Sequence, residues 1–285
     1  MATINTTPDS FSSSSPSTHE SSVAEGLAAV DSGADILDIG GYSTRPGAAV
    51  ISPEDEMQRV VPVVRALREH GVSLPISIDT FRPSVLQAAV NVGANCLNDV
   101  TALTGEGEPG EEDMALVARD LGVPIIMMHS RGAHRVTVDD DYSAQGGVVR
   151  SVRQELGSRI TEALRFGIRK WNIIVDPGFG FSKSVEGNIE LLRRFSELTA
   201  PGLEGRQNPL EGYPTLAGLS RKGFLGKILE RPTQPLEREW ATGAGVAASI
   251  QQGADIVRIH RIAEMRDVAK IADKVWRHIP IRRGL

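Results

Sequence analysis

Residues 172–181 read Asn172-Ile-Ile-Val-Asp-Pro-Gly-Phe-Gly-Phe181. A short β-branched run stops at an acid, and turn formers follow. That is the pattern of a parallel strand buried on both faces, with a polar group carried at its C-terminal tip. Working outward, the same pattern recurs along the chain. Strands are expected at residues 2–5, 35–40, 75–80, 95–100, 124–129, 172–176, 215–219 and 255–260. The segments between them read as amphipathic helices. Ser52 is placed to cap a helix that starts at Pro53, where a missing N–H is harmless. Met57, Val60, Val61, Val64 and Leu67 follow at helical spacing. Pro62 inside that run predicts a kink. Five helices are expected to end at Gly33, Gly71, Gly93, Gly122 and Gly253, where glycine supplies the left-handed residue before the next strand.

Eight such units in 285 residues predict an α/β fold of the (β/α)8 TIM-barrel type, one domain spanning residues 1–285. The structural alternative, a doubly wound sheet, usually opens on a glycine-rich turn. Here the first turn is Thr7-Pro8-Asp9-Ser10-Phe11. Three connections are long and polar, at residues 101–113, 131–147 and 200–213. The first is acidic and reads as a solvated loop.

A formal net charge of -5 with both signs interspersed is not a nucleic-acid footprint. The single cysteine, Cys96, excludes an intrachain disulfide and reads as a small buried hydrophobe. No apolar run approaches the roughly 18 residues of a membrane span, and residues 1–15 lack the features of a signal peptide. The first strand begins abruptly, so the chain is expected to be either free-standing and cytoplasmic or one part of a longer polypeptide. In the latter case the mitochondrion is the alternative compartment.

In this fold, chemistry sits at the C-terminal strand ends. Polar residues gather there at nearly every strand: Asn5, the Gly40–Gly47 segment, Asp79, Asn98 with Asp99, Met128 with His129, Asp176, Ser220-Arg221-Lys222, and Arg258 with His260. Acids inside an apolar barrel are costly unless paired. A flat heterocycle with parallel N–H donors would pair with them, and Asp79, Asn98 and Asp176 suit that role. Any one of them alone could instead order a loop. Arg45, Arg258 and His260 form a second group suited to a phosphate or diphosphate. Lys222 suits phosphate as well, and a Schiff-base role is the alternative. Only one of Met128 and His129 can face inward. Met128 is assigned as a flat apolar contact and His129 as structural. No zinc spacing, G-x-S-x-G elbow, Walker loop or H-E-x-x-H is present.

These tips resemble the dihydropteroate synthase family of pterin-binding barrels. The matching segments run Asn5-Thr6-Thr7-Pro8-Asp9-Ser10-Phe11-Ser12, Asp38-Ile39-Gly40-Gly41-Tyr42-Ser43-Thr44-Arg45-Pro46-Gly47-Ala48, Ser77-Ile78-Asp79-Thr80, Asn98-Asp99-Val100, Met128-His129, Asp176-Pro177-Gly178-Phe179-Gly180-Phe181, Gly218-Leu219-Ser220-Arg221-Lys222 and Arg258-Ile259-His260. They occur in family order from end to end. The resemblance implies a transferase of folate biosynthesis and a sulfonamide target. It joins 6-hydroxymethyl-7,8-dihydropterin pyrophosphate to para-aminobenzoate, giving 7,8-dihydropteroate and pyrophosphate.

By the same resemblance, Asp79, Asn98, Asp176 and Lys222 hold the pterin, and Met128, Phe181 and Gly218 line its pocket. Asn5, Arg45, Arg258 and His260 hold the pyrophosphate, with Asn5 a ligand of Mg²⁺. Thr44, Pro46, Phe11, Ser220 and Lys222 frame the para-aminobenzoate site, and Asp9 and Phe11 belong to a catalytic first loop. The family implies a homodimer working on small molecules, with neither nucleic acid nor membrane as partner. Three departures stand out. Residues 13–16 replace a glycine-containing continuation, Tyr42 stands where an acid is usual, and Ser182 replaces a common glycine. The rival readings are a pterin-binding methyltransferase barrel, a non-catalytic paralogue and a lysine aldolase. The Thr-Pro-Asp-Ser-Phe and Ser-Arg-Lys segments speak against the first.

Overall fold

The computed structural model describes residues 1–6, 19–42, 50–105, 113–131, 142–202 and 207–277. Eight parallel strands alternate with helices: β1 Ala2–Asn5, α1 His19–Asp31, β2 Leu37–Gly40, α2 Pro53–Glu69, β3 Ile76–Asp79, α3 Pro83–Val90, β4 Cys96–Asp99, α4 Met114–Leu121, β5 Ile125–Met128, α5 Val148–Arg165, β6 Ile173–Asp176, α6 Val185–Arg193, β7 Leu216–Ala217, α7 Gly223–Ile228, β8 Ile256–Val257, and then α9 Ile262–Trp276, with α8 Glu239–Gln251 between α7 and β8. Strands β1 to β6 pair in sequence order, and β7 pairs with β8. Two single bridges join the halves: Val175 meets Thr215, and Ala2 meets Ile259. The Thr3 and Ile259 amides bond the Ile259 and Met1 carbonyls at 3.0 Å, so the ring of strands closes. The strands are shorter than expected, β7 and β8 being two residues each.

Side-chain parity divides the barrel in two. Residues of one face, such as Leu37, Ile39, Ile76 and Ile78, pack outward with Val60, Val64 and Leu67 of α2. Inside, Met1, Cys96, Ile126 and Leu216, with Ile36, Ile174 and Ile256, plug the floor. Burial pushes the Cys96 thiol up to about 12, so this cysteine is an inert part of that plug.

The expected punctuation is present. Gly33, Gly71, Gly93, Gly122 and Gly253 all hold positive φ. Ser52 accepts from the Asp55 amide at 3.1 Å, with Pro53 in the first turn. Helix α2 runs on through Pro62. The proline removes the donor that Gln58 O would otherwise receive, and His19 Nε2 bonds that carbonyl at 2.8 Å instead. The orphaned acceptor is thus satisfied from α1, which docks α1 on α2.

Two substitutions test this frame by urea unfolding. Leu67→Ala, at a fully buried position, is expected to lose about 2–5 kcal/mol. Ser52→Ala is expected to lose about 1 kcal/mol, with the slope of the transition unchanged.

Candidate active site

One interior face ends in polar groups at the carboxyl rim. Asp79 and Asn98 are direct neighbours in the β3–β4 register. Met128 and Asp176 are direct neighbours in the β5–β6 register. A Cβ on Gly218 would stand 3.8 Å from Asp176 Oδ2, so the bare backbone of this residue flanks that carboxylate. Lys222 and Arg258 both act electrostatically on Asp79 and on Asp176. The structure therefore gathers Asp79, Asn98, Met128, Asp176, Gly218, Lys222 and Arg258 around one mouth.

Its electrostatic centre is Arg258. The guanidinium donates from Nε to Asp38 Oδ2 at 2.6 Å and from Nη2 to Asp79 Oδ2 at 2.7 Å. Asn98 Nδ2 donates to the same Asp38 oxygen at 3.1 Å. Arg258 therefore lies within the acid cluster, where the sequence suggested a separate basic group. The reason is charge balance, since buried carboxylates at adjacent strand tips need a buried cation. Desolvation would favour neutral arginine, but Asp38 and Asp79 hold it firmly charged. Asp79 is raised to about 7, chiefly by burial, with Arg258 opposing the rise and Asp38 and Glu56 adding to it. Burial likewise raises Asp176.

Asp38 is the residue that sequence reasoning missed. It is fully buried and holds both Asn98 and Arg258. Its signal was present: an acid in mid-strand, two residues before Gly40, has the parity of the barrel interior. Asp99, by contrast, orders a turn. It accepts from the Thr101 amide and hydroxyl at 2.7 Å and from the Leu103 amide at 2.8 Å.

The loop after β6 forms one wall. Asp176 Oδ1 accepts from the Gly178 amide at 2.8 Å, and Asn188 Oδ1 accepts from the Gly180 amide at 2.7 Å. Ser182 keeps the left-handed conformation of a glycine, with φ 49°. Phe181 lies half-buried at the loop end, and Lys222 Nζ stands 3.9 Å from its ring centroid. Across the mouth, Ser220 Oγ and His260 Nδ1 are 2.8 Å apart. Arg221 stands between Leu219-Ser220 and Lys222 with φ 61°. Its side chain leads away to Glu239 at 2.5 Å, and its amide bonds Thr242 Oγ1 at 3.0 Å, so Arg221 fixes the loop. Asn5 is half-buried at the tip of β1, opposite Gly40.

The residue at the unusual position, Tyr42, meets Phe81 edge-on with centroids 5.5 Å apart. The Arg82 guanidinium lies 5.3 Å from each ring centroid. Arg82 also donates to Glu56 Oε2 at 2.7 Å and to Ile51 O at 2.6 Å. Glu56 thus supplies the acid that pairs with Arg82. Asp9, Phe11, Thr44, Arg45 and Pro46, also expected in the site, lie outside the described residues.

A closed barrel with buried acids, a carboxamide and the side-chain cations of Arg258 and Lys222 at its mouth suits an enzyme that grips a flat, donor-rich heterocycle beside an anionic group. Known proteins make this specific. The model of the pterin binding enzyme family matches residues 1–260. A dihydropteroate synthase of Synechocystis is 40% identical over 97% of this chain and 90% of its own. A folic acid synthesis protein of Schizosaccharomyces pombe is 40% identical over 98% of this chain, which spans 36% of that longer protein. A solved Xanthomonas albilineans dihydropteroate synthase with 4-aminobenzoic acid matches at TM-score 0.84 and 38% identity, over 98% of this chain and 93% of that one. The chain belongs to the pterin-binding enzyme family, among the dihydropteroate synthases.

One wall of the site offers a controlled comparison. Gly178 and Gly122 both have left-handed φ, 69° and 66°. A Cβ on Gly178 would fall 2.0 Å from His129 O, whereas one on Gly122 meets nothing within 4 Å. Gly122→Ala should lose only the conformational term, about 1–2 kcal/mol. Gly178→Ala should lower the melting temperature by clearly more. Equal shifts for the two would disprove the tight seating of this loop on β5.

Proposed function

We propose that this chain condenses 6-hydroxymethyl-7,8-dihydropterin pyrophosphate with para-aminobenzoate, and that the residues at the barrel mouth divide the work as follows. The observation that carries the assignment is the acid pair Asp79 and Asp176 at one mouth with Asn98, Lys222 and Arg258. Asp79, Asn98 and Asp176 would meet the ring N–H groups, while Met128, Phe181 and Gly218 flank the ring. Asp176 uses Oδ1 within its own loop, so Oδ2 is the oxygen assigned to the ligand. Ser220, His260 and Arg258 would face the diphosphate, with Arg45 from the loop after β2. Lys222, beside Phe181, would bridge the pterin and the arylamine framed by Thr44, Pro46, Phe11 and Ser220, and Asp9 would serve with the first loop.

In the reaction, the bond from the pterin methylene carbon to the diphosphate oxygen breaks, and its electron pair leaves with diphosphate. The arylamine nitrogen donates its lone pair to that carbon and then loses a proton. Positive charge builds on the pterin methylene as the leaving group departs. Fixed carboxylates at Asp79 and Asp176 stabilise that charge without reorganising. Arg258 and His260, with Arg45, would stabilise the departing anion. No protein nucleophile is required.

The donor chemistry at Asn5 fits Mg²⁺. A carboxamide oxygen is a hard ligand, and Mg²⁺ usually takes one or two protein ligands with phosphate oxygens and water. Among the described residues no three His, Cys, Asp or Glu side chains form a metal cluster. Bound there, Mg²⁺ would neutralise charge on the diphosphate.

We further assign the chain as one domain over residues 1–285, cytoplasmic unless it is part of a longer protein, acting on small molecules and not on nucleic acid or membrane. Among the described residues no helix is long and apolar enough to cross a membrane. A homodimer is supported by an apolar strip between α8 and α9, where Ala247, Val268, Ile271, Val275 and Trp276 meet. Ile271 is 67% exposed and Val275 55%, so the strip is open to a partner. Sedimentation should show a dimer, and Ile271→Glu should shift it to monomer with the fold retained.

Pyrophosphate release with both substrates tests the central assignment. Asp79→Asn and Lys222→Ala are each expected to lower turnover by about 10²–10³-fold, the usual loss when one preorganised electrostatic group is removed. Parent-like rates in both variants would contradict the site.

A further inference from the structure

Behind the wall formed by the β6 loop lies a buried charge cluster to which the reaction scheme gives no part. Lys183 is 7% exposed, and its ammonium meets three acceptors: Gly178 O at 3.0 Å, Phe181 O at 3.0 Å and His129 Nδ1 at 3.1 Å. His129 is 3% exposed, and its Nε2 lies 2.9 Å from Glu155 Oε2. Arg131 also donates to Glu155, at 2.5 Å and 3.1 Å. We propose that Lys183 is a positioning residue for the pterin wall, clamping the Gly178–Phe181 loop through two carbonyls and itself held in its donating form by the His129–Glu155 pair.

The argument is one of donors and acceptors. An ammonium has three N–H groups, and three acceptors surround it. For His129 Nδ1 to accept, Nε2 must carry the ring proton, and Glu155 is placed to receive that proton's hydrogen bond. Burial, then Lys183, hold His129 neutral, with its pKa lowered to about 4. Burial opposes the ionised form of Glu155, but hydrogen bonds from His129 and Arg131 bring it down to about 2, so it stays anionic. A neutral Lys183 amine would keep two donors and leave one acceptor unserved. Turning His129 to its other tautomer would then set Nε2 against the Glu155 carboxylate, which is repulsive. The pair therefore favours the ammonium.

The balance is delicate. Lys183 is lowered to about 7, chiefly by burial; Asp176 on β6 and Glu155 on α5 oppose the fall, and Arg131 and Lys222 add to it. Below that pH the clamp has its full set of donors, and above it one is lost. The wall it holds carries Asp176 at one end and Phe181 at the other. Loosening it should weaken the pterin more than the arylamine.

The inference rests on the proposed reaction, and steady-state kinetics with each substrate varied in turn separates the two. In Lys183→Met, KM for the pterin substrate is expected to rise about tenfold or more, as for a lost charged hydrogen bond. Its kcat and its KM for para-aminobenzoate should change less than threefold. Glu155→Gln, at a half-exposed carboxylate outside the core, provides a variant expected to fold in any case. Removing that charge lets Lys183 lose its proton at lower pH, and a Gln amide also tolerates the other His129 tautomer. The rise of pterin KM with pH should therefore begin at lower pH in Glu155→Gln than in the parent. Asp79 titrates in the same range in both proteins, so the difference between the two profiles is the readout. Superimposable profiles, or an unchanged pterin KM in a folded Lys183→Met, would overturn the role of Lys183. A parent enzyme that releases no pyrophosphate would overturn the reaction on which it rests.

Discussion

The site depends on a shared cation. Arg258 lies between Asp38 and Asp79, and without it two carboxylates on adjacent strands would face each other in a poorly solvated mouth. Breaking such a pair by removing one member leaves an uncompensated buried charge, at about 3–5 kcal/mol. The arrangement ties β8 to β2 and β3 across the interior, beyond the single bridge that closes β8 on β1. Architecture and chemistry thus share one group: the residue proposed to meet the anionic leaving group also holds Asp79, one of the acids proposed to meet the ring. The consequence is coupling. An anion drawing on Arg258 would leave Asp79 less neutralised, in the same stage of reaction at which positive charge on the pterin needs a carboxylate.

Much of this was legible in the sequence because parallel strands in a closed barrel leave few choices. Continuous apolar runs ending in a polar residue can only be buried on both faces and open at one end. Five glycines, each a few residues before a strand, marked the helix ends, and all five hold positive φ. Asp79, Asn98, Met128 and Asp176 follow from strand-end position alone. Strand length was less legible, because β7 and β8 continue as extended chain that makes only partial ladders. The effect of Pro62 was not legible either. Whether a helix survives an internal proline depends on which group satisfies the freed carbonyl, here that of Gln58, and that group is His19, far earlier in the sequence.

The pairing of Arg258 was misplaced for a similar reason. Sequence shows which residues reach the rim but not how charges partner across it. Grouping cations with cations and acids with acids is natural on paper, whereas burial enforces the opposite. Asp38 was overlooked because it lies one layer below the tips. Parity put it inside, and only the structure shows that one of its oxygens serves both Asn98 and Arg258.

The positions that depart from the family pattern are instructive for the same reason. Ser182 stands where glycine is common and keeps a left-handed φ of 49°, a conformation that disfavours a side chain. Its hydroxyl bonds the Arg131 amide at 3.2 Å, and its carbonyl accepts from Tyr142 at 2.8 Å. The strain is therefore offset by contacts a glycine could make only in part. At Tyr42 a ring replaces an acid, and the negative partner of Arg82 is Glu56 on α2. Burial raises Glu56, while Thr80 and Arg82 draw it back toward the ionised form. Both substitutions lie at the roots of loops and not at the groups facing the mouth. At Ser182 the left-handed turn is kept by contacts of its own hydroxyl and carbonyl, and at Tyr42 the ring packs near Arg82, whose charge is met from α2.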